Sequence, residues 1–418
     1  MKAISCPQVT FSLPSCIFTP QVFDTTSDTT STVQTRVFHS IGDVPVYEIN
    51  NMLSPDLLAL LTGTEAAQMP GMSFKYVLST QAGMPAVFAY FQLLSFSASQ
   101  IRSFTPRPEN ADDLYGKLRN VAARIAKNIL EKRQIHILVS GNALITGQSG
   151  IFHAPSLSPE DAYRQLPGMI ERLLAENPGI DAVLLKDHLN LPEAIAGEWA
   201  AQGYQPFATE PDMGMPVIWE TVDDYHLDMA SKYRQRVKSA YKKSNGTIRR
   251  ELTEHEVIKY KNRLFELFDS VLKEDRFNLV PHSTEYLPAM KAALGEKFRI
   301  YGYFSAGEIV AFQTLIEMGE DLYCHFLGYH CELNREYKLY QRMLYDAVAM
   351  AIDGRFKRIS FGRTAMEIKS TVGATPAYPV CYLKFSRPVI NRLAAPYLRN
   401  VKIEDWQPRH PFKSMIPA

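Results

Sequence analysis

Three strands in immediate succession constrain this chain most. Residues 298–304 (FRIYGYF), 308–317 (EIVAFQTLIE) and 321–329 (DLYCHFLGY) are rich in branched and aromatic side chains, and tight connections at Ser305-Ala306-Gly307 and, after Met318, at Gly319-Glu320 join them. Connections that short force antiparallel neighbours. Helical patterns at 254–275 and 283–294 precede the strands. A further helix is expected at 335–352, with Leu339, Met343, Leu344, Ala347, Val348 and Ala351 on one face and Gly354 as its stop. Strands at 357–361 (KRISF) and 379–386 (PVCYLKFS) follow. The order predicts an α/β fold of α+β character, a mixed and mostly antiparallel sheet flanked by helices.

The first half repeats this order loosely. A helix is expected at 56–68 and strands at 73–79 and 85–96, then an amphipathic helix at 113–132. Strands at 135–139 and 143–146 follow, then a helix capped by Ser158 and Pro159, a strand at 181–186, a helix at 191–202 and a strand after Gly203. A divergent tandem duplication accounts for this, although no residue-level repeat is visible. The expected organisation is a poorly ordered arm at 1–36, a degenerate first domain at 37–220, a catalytic second domain at 221–400 and a tail at 401–418. Pro206, Pro211, Gly214 and Pro216 mark the boundary.

Composition narrows the function classes. Forty-five Lys and Arg against 44 Asp and Glu leave a net charge of +1, which argues against general nucleic-acid binding. No apolar run approaches the roughly 20 residues of a spanning helix. Pro7, Pro14 and Pro20 interrupt any signal-peptide core, and five cysteines make a poor disulfide framework. A cytoplasmic protein is expected, with peripheral contact at the inner membrane face as an option.

Two strings carry a family resemblance. DYHLDMASKYRQRVKSAYKKSNG (224–246) resembles the stretch before the second acyltransferase domain of Fem-type and FemAB-like bacterial proteins, and YHCELNREYKLYQRMLYDAVAMAIDGRFKRISFGRTAMEIKSTVGATP (329–376) resembles their end piece. With the element order of 254–386, this is similar to the acyl-CoA N-acyltransferase (GNAT) superfamily. The resemblance implies tandem GNAT-like domains. It also implies transfer of an acyl group from acyl-CoA or acyl carrier protein to the primary amine of a small or lipid-like acceptor. The alternatives are aminoacyl transfer from aminoacyl-tRNA to a cell-wall precursor, and an inactive GNAT-like binding protein. The chain departs from the family in its pyrophosphate loop, which holds Cys331 to Lys338 and no glycine.

Acyl transfer needs a neutral amine, donors for the carbonyl oxygen and a grip on the anionic donor. Asn334, Arg335, Lys338 and Leu339 stand where a helix start would meet phosphate, or are solvated residues at that start. Arg363 and Lys369 in the turn after 357–361, with Gly362, either hold an anion or form an ordinary charged loop. Arg234 and Arg236 lie on the basic helix 228–243, which suits an anionic acceptor, an acidic lipid surface, tRNA or plain solvation. His325 and Tyr329 are placed beside the reacting carbonyl by the resemblance. A zinc site in CHFLGYHC is rejected, because Cys324 and His325 point to opposite faces of a strand. No nucleophile-elbow, Walker, dinucleotide or zincin motif occurs.

Overall fold

A computed structural model describes residues 33–97, 133–272, 283–401, 403 and 405–414 of the chain. The first half runs β1 (Val33–Phe38), α1 (Val46–Ile49), α2 (Pro55–Ala66), β2 (Met72–Gln81), β3 (Met84–Ser97), β4 (Gln134–Ser140), β5 (Ile151–His153), α3 (Pro159–Glu176), β6 (Ala182–His188), α4 (Glu193–Ala201) and β7 (Gln205–Ala208). The first half closes with β8 (Asp212–Pro216), and the second runs α5 (Val222–Asp228), α6 (Ser231–Lys243), β9 (Ile248–Glu251), α7 (Glu254–Leu272), α8 (Tyr286–Leu294), β10 (Phe298–Ser305), β11 (Glu308–Met318), β12 (Asp321–Tyr329), α9 (Cys331–Tyr337), α10 (Leu339–Asp353), β13 (Arg358–Gly362), α11 (Met366–Ser370), β14 (Thr375–Ala377), β15 (Val380–Phe385) and α12 (Pro388–Arg399).

Two sheets result. The first has the order β1-β2-β3-β4-β6-β15-β7, with β5 also on β3, and the second β9-β10-β11-β12-β13-β8-β14. Read position by position, they match. In each, the fourth and fifth strands form the one parallel pair, β4 with β6 and β12 with β13, and every other pairing is antiparallel. In each, the sixth strand comes from the other half: β15 enters the first sheet and β8 the second. The exchange ties the halves together, since the first sheet takes a strand from beyond residue 220 and the second takes one from before it. The strand at 379–386 is therefore present but stands beside β6 and β7.

Local chemistry explains the turns. Ala82 and Gly83 both have positive φ, as the two-residue hairpin between β2 and β3 requires. Ser158 accepts from Asp161 N and starts α3 with Pro159 in its first turn. Apolar side chains then form three main layers. One core joins the halves, with Leu60, Leu61, Tyr76, Phe88 and Tyr90 meeting Leu264, Met290, Phe298, Phe312 and Ile316. A second lies between the second sheet and α6 and α10, and a third between the first sheet and α3 and α4.

Several expected elements differ. Residues 143–146 are turn rather than strand, and Ile151–His153 pairs with β3 instead. The arm expected at 1–36 ends in an ordered strand from Val33, paired with Thr80 and its neighbours; the rest of the arm and the helix at 113–132 lie outside the described residues. The expected helix 228–243 is broken at Met229 and Ala230 into α5 and α6. Residues of the tail pack onto the second half: Ala230 N donates to Pro411 O at 2.8 Å, and Phe412 lies 5.0 Å from Trp219, ring to ring.

Candidate active site

The two strands of the second sheet's parallel pair stay together only briefly. β12 and β13 pair from Asp321/Arg358 to Tyr323/Ser360, and β12 then continues for six residues paired with β11 but not with β13. Within that free stretch β12 bulges. Leu327 faces Gln313, but Cys324 faces Leu315, so His325 and Phe326 together oppose Thr314. Thr314 satisfies the bulge: its hydroxyl donates to Phe326 O at 2.9 Å and accepts from Phe326 N at 2.7 Å. The extra residue changes the phase of the strand. Cys324, Leu327 and Tyr329 now share the face toward α10, and Tyr329 and Tyr340 have ring centres 6.1 Å apart.

Lys369 is brought to the same face from the other side of the opening. It sits in α11, is 5% exposed, and its Nζ donates to Gly362 O at 3.1 Å and to Arg363 O. Burial pushes its pKa down to about 8, against the opposing pull of Cys324, Asp212 and Glu210. Burial raises the Cys324 thiol to about 12, with Lys369 acting the other way, so Cys324 stays a thiol at neutral pH. The backbone that Lys369 ties down is unusual, with φ of +68° at Gly362, +65° at Thr364 and +48° at Ala365. Two consecutive non-glycine residues in the left-handed region persist only where neighbours hold them.

Arg363 extends from this loop to the first half. It pairs with Asp187, which also takes the Lys186 ammonium and accepts from Gly147 N at 2.9 Å. Burial opposes the charge on Asp187, but Lys186 and Arg363 outweigh it and hold the carboxyl below its ordinary value. Lys186 Nζ also donates to Ile145 O at 2.8 Å. The loop 141–150 is thereby anchored at the end of β6, the position that corresponds to the opening in the second sheet.

A set of cations flanks the second-half site. α9 and α10 are separated by Lys338 in a left-handed conformation, φ +54°. Lys338 Nζ donates to Ser239 Oγ of α6 at 3.1 Å. Burial lowers its pKa, and the neighbouring Lys243 and Arg236 lower it further. Among the described residues none of these three meets a carboxylate. α6 is held in place by Asp346 of α10, which accepts from Tyr241 at 2.9 Å, Tyr303 at 2.8 Å and Arg342 at 2.9 Å.

The comparisons with known proteins agree with this arrangement. Residues 230–370 match the family described as Acetyltransferase (GNAT) domain. The crystal structure of FemX is similar to this chain with a TM-score of 0.51 at 10% identity, covering 86% of this chain and 99% of FemX. Residues 230–370 are a GNAT domain, and the chain has a Fem-like tandem fold. A tandem GNAT protein from the clavulanic acid biosynthesis pathway is similar at a TM-score of 0.48 and 11% identity, over 85% of this chain and 99% of that one. No curated protein matches the sequence. With a GNAT domain at 230–370 the chain is an enzyme of the acyl- or aminoacyl-transfer class.

The GNAT framework brings some of the expected residues together and separates others. Gly362, Arg363 and Lys369 meet at the turn after β13, and Arg236 lies near Lys338; Tyr329 lies further along β12, beside Tyr340. His325 does not join them. It faces α8, where Tyr286 Oη and His325 Nε2 are 2.9 Å apart, its ring stacks on Phe326 at 3.9 Å, and burial lowers its pKa to about 3. Period-two alternation puts His325 and Tyr329 on one face, and the bulge between them reverses that. Asn334 is used structurally, its Oδ1 accepting from Tyr340 N at 2.8 Å, and Leu339 is wholly buried in the core. Arg335 is exposed on α9. Arg234 donates to Met229 O and closes the end of α5. Tyr340, Ser239 and Asp187 were not singled out by motif, and Cys324 entered only through the rejected zinc pattern. Only the basic character of α6 announced Lys243. Among the described residues no His, Cys, Asp and Glu cluster could hold a metal ion.

Proposed function

We propose that the second half transfers an acyl group from acyl-CoA to a primary amine, with the acyl carbonyl lying in the opening between β12 and β13. The observation that carries this reading is the ladder that stops at Tyr323/Ser360 with buried Lys369 beside the gap. Two of the three Nζ–H groups of Lys369 are engaged by backbone carbonyls, leaving one for the carbonyl oxygen as it becomes anionic. The amine nitrogen forms the new C–N bond, the thioester C–S bond breaks, and the extra proton of the amine leaves with the thiolate. Cys324, as a thiol, lines the site without competing as a nucleophile. Arg236, Lys243 and Lys338 supply charge for the donor's phosphates in place of the missing glycine loop.

The purified full chain should be incubated with acetyl-CoA, long-chain acyl-CoA, acyl carrier protein thioesters and aminoacyl-tRNA, each with a panel of primary amines, and products identified by mass spectrometry. Thiol release and amide formation from acyl-CoA support the reading. Amide formation from a carrier protein or tRNA alone replaces the donor, and no transfer from any donor contradicts it.

A further inference from the structure

The loop 141–150, which plugs the strand ends of the first sheet, covers more hydrogen-bond donors than it satisfies. Tyr90, Gln92 and Asn142 are wholly buried there. Tyr90 and Gln92 stand two residues apart on β3 and share one face of the sheet. The loop crosses that face: Ala143 N donates to Gln92 Oε1 at 2.7 Å, and Ile145 O accepts from Lys186 Nζ on β6 at 2.8 Å. Leu144 N donates to Asn142 Oδ1 at 2.9 Å. Both amide oxygens are thus fixed as acceptors, which leaves the amide nitrogens as donors. Among the described residues Tyr90 Oη, Gln92 Nε2 and Asn142 Nδ2 have no partner. Burial and the charge of Asp187 keep the Tyr90 hydroxyl protonated, so it too has a hydrogen to give. The charges carry the same bias. Lys186 and Arg363 both face one carboxylate, Asp187, and Gly147 N already takes part of its capacity. Buried donors are ordinarily paired, so three under one loop call for an acceptor.

We propose that the first sheet binds a small inorganic anion beneath the loop 141–150, held by Tyr90 Oη, Gln92 Nε2 and Asn142 Nδ2 and balanced by the excess cation of the Lys186, Asp187 and Arg363 group. An anion accepts from every one of these donors and brings no hydrogen of its own. Water is the competing occupant. It accepts two such bonds, but its own two hydrogens then need acceptors in a place whose unpaired groups are donors. Bound there, the anion fastens the loop to β3 as Lys186 fastens it to β6. The inference concerns the first half alone and stands whichever acyl donor the second half uses.

The probes are chloride and bromide. The full chain is melted in sodium gluconate replaced stepwise by sodium chloride or sodium bromide at constant ionic strength. The melting temperature of the wild type should rise with either halide and saturate. Tyr90→Phe removes one donor and nothing else. It should weaken the apparent halide affinity by about tenfold or more, as for one hydrogen bond to a charged group, and in gluconate it should be at least as stable as the wild type, because an unpaired buried hydroxyl is gone. Wild-type crystals soaked in bromide should show an anomalous peak within hydrogen-bond reach of Gln92 Nε2 and Asn142 Nδ2. Three results would overturn the proposal: no halide-dependent shift in the wild type, an undiminished shift in Tyr90→Phe, or density at these donors that carries no bromide signal and is therefore water.

Discussion

The parallel pairs of the two sheets occupy the same topological place and have opposite fates. In the first sheet β4 ends at its last paired residue, Ser140 opposite Leu185, and the chain turns back over the strand ends through 141–150. Gly141 and Gly150 are essential to that turn: a Cβ on Gly141 would lie 2.2 Å from Gln148 O, and one on Gly150 2.4 Å from Gly141 N. Lys186 and Asp187 fasten the loop, and Arg363 locks the result from the other half. In the second sheet β12 runs on past its last pair with β13, and a buried lysine and a thiol lie close together beside that point. The two sheets share one strand pattern; at this place in the first the loop 141–150 covers the strand ends, and the second is where we place the chemistry. The comparison also shows that a cation's partner says more than its presence. Arg363 faces a buried carboxylate, whereas Lys338, Arg236 and Lys243 face one another.

If that division is right, disturbing the open site costs activity and disturbing the plugged one costs stability. The largest effect is expected from Lys369→Met, which should lower kcat by about 10²-fold or more, as for loss of one positioned donor. Lys369→Met also isolates a pH effect on folding. The pKa of Lys369 is lowered in the folded protein, so between pH 8 and the ordinary lysine value the unfolded chain binds the extra proton. Stability of the wild type relative to the variant should therefore rise with pH across that window, as measured by urea denaturation. No such rise would mean Lys369 is not the buried cation described here.

Arg363→Ala should cost about 2 kcal/mol of stability. This is less than the roughly 3–5 kcal/mol of a fully orphaned buried ion, because Lys186 still faces Asp187. Pairing it with Asp187→Asn should recover part of the loss. Chemical denaturation of the single and double variants decides the matter; additive losses would show that the two residues do not act as a pair.

Arg236→Ala/Lys338→Ala should raise KM for the acyl donor about tenfold with kcat little changed, and should leave stability unaltered or slightly higher, because like charges are being removed. A fall in kcat at unchanged KM would move these residues from donor binding to chemistry. The smallest effect concerns His325. Its folded pKa of about 3 lies below the ordinary histidine value, so stability should fall as pH drops from about 6.5 toward 3. His325→Phe should blunt this acid sensitivity without changing turnover at neutral pH, and a loss of turnover would return His325 to the active site.

Sequence patterning captured what is local and missed what is not. β10, β11 and β12 were legible because each carries its own run of branched and aromatic residues between short turns. The strand exchange was not. Asp212–Pro216 is five residues long and contains glycine and proline, and nothing in Val380–Phe385 states which sheet it joins. The bulge at His325 and Phe326 was invisible because its determinant is the hydroxyl of Thr314 on the neighbouring strand. The break at Lys338 interrupts a helical pattern that continues on both sides of it. Arg363 read as a free loop cation, since its partner Asp187 is 176 residues away.

On this reading the donor is gripped by Arg236, Lys243 and Lys338 beside the second opening and not at the plugged first one. Ligand-induced stabilisation tests it most directly: the melting temperature of the wild type, Arg236→Ala/Lys338→Ala and Lys186→Met, each with and without saturating coenzyme A. We expect coenzyme A to raise the melting temperature of the wild type and of Lys186→Met by the same amount, whatever the starting stability of the latter, and to leave Arg236→Ala/Lys338→Ala almost unmoved. An undiminished shift in Arg236→Ala/Lys338→Ala, or a shift lost in Lys186→Met, would contradict the claim.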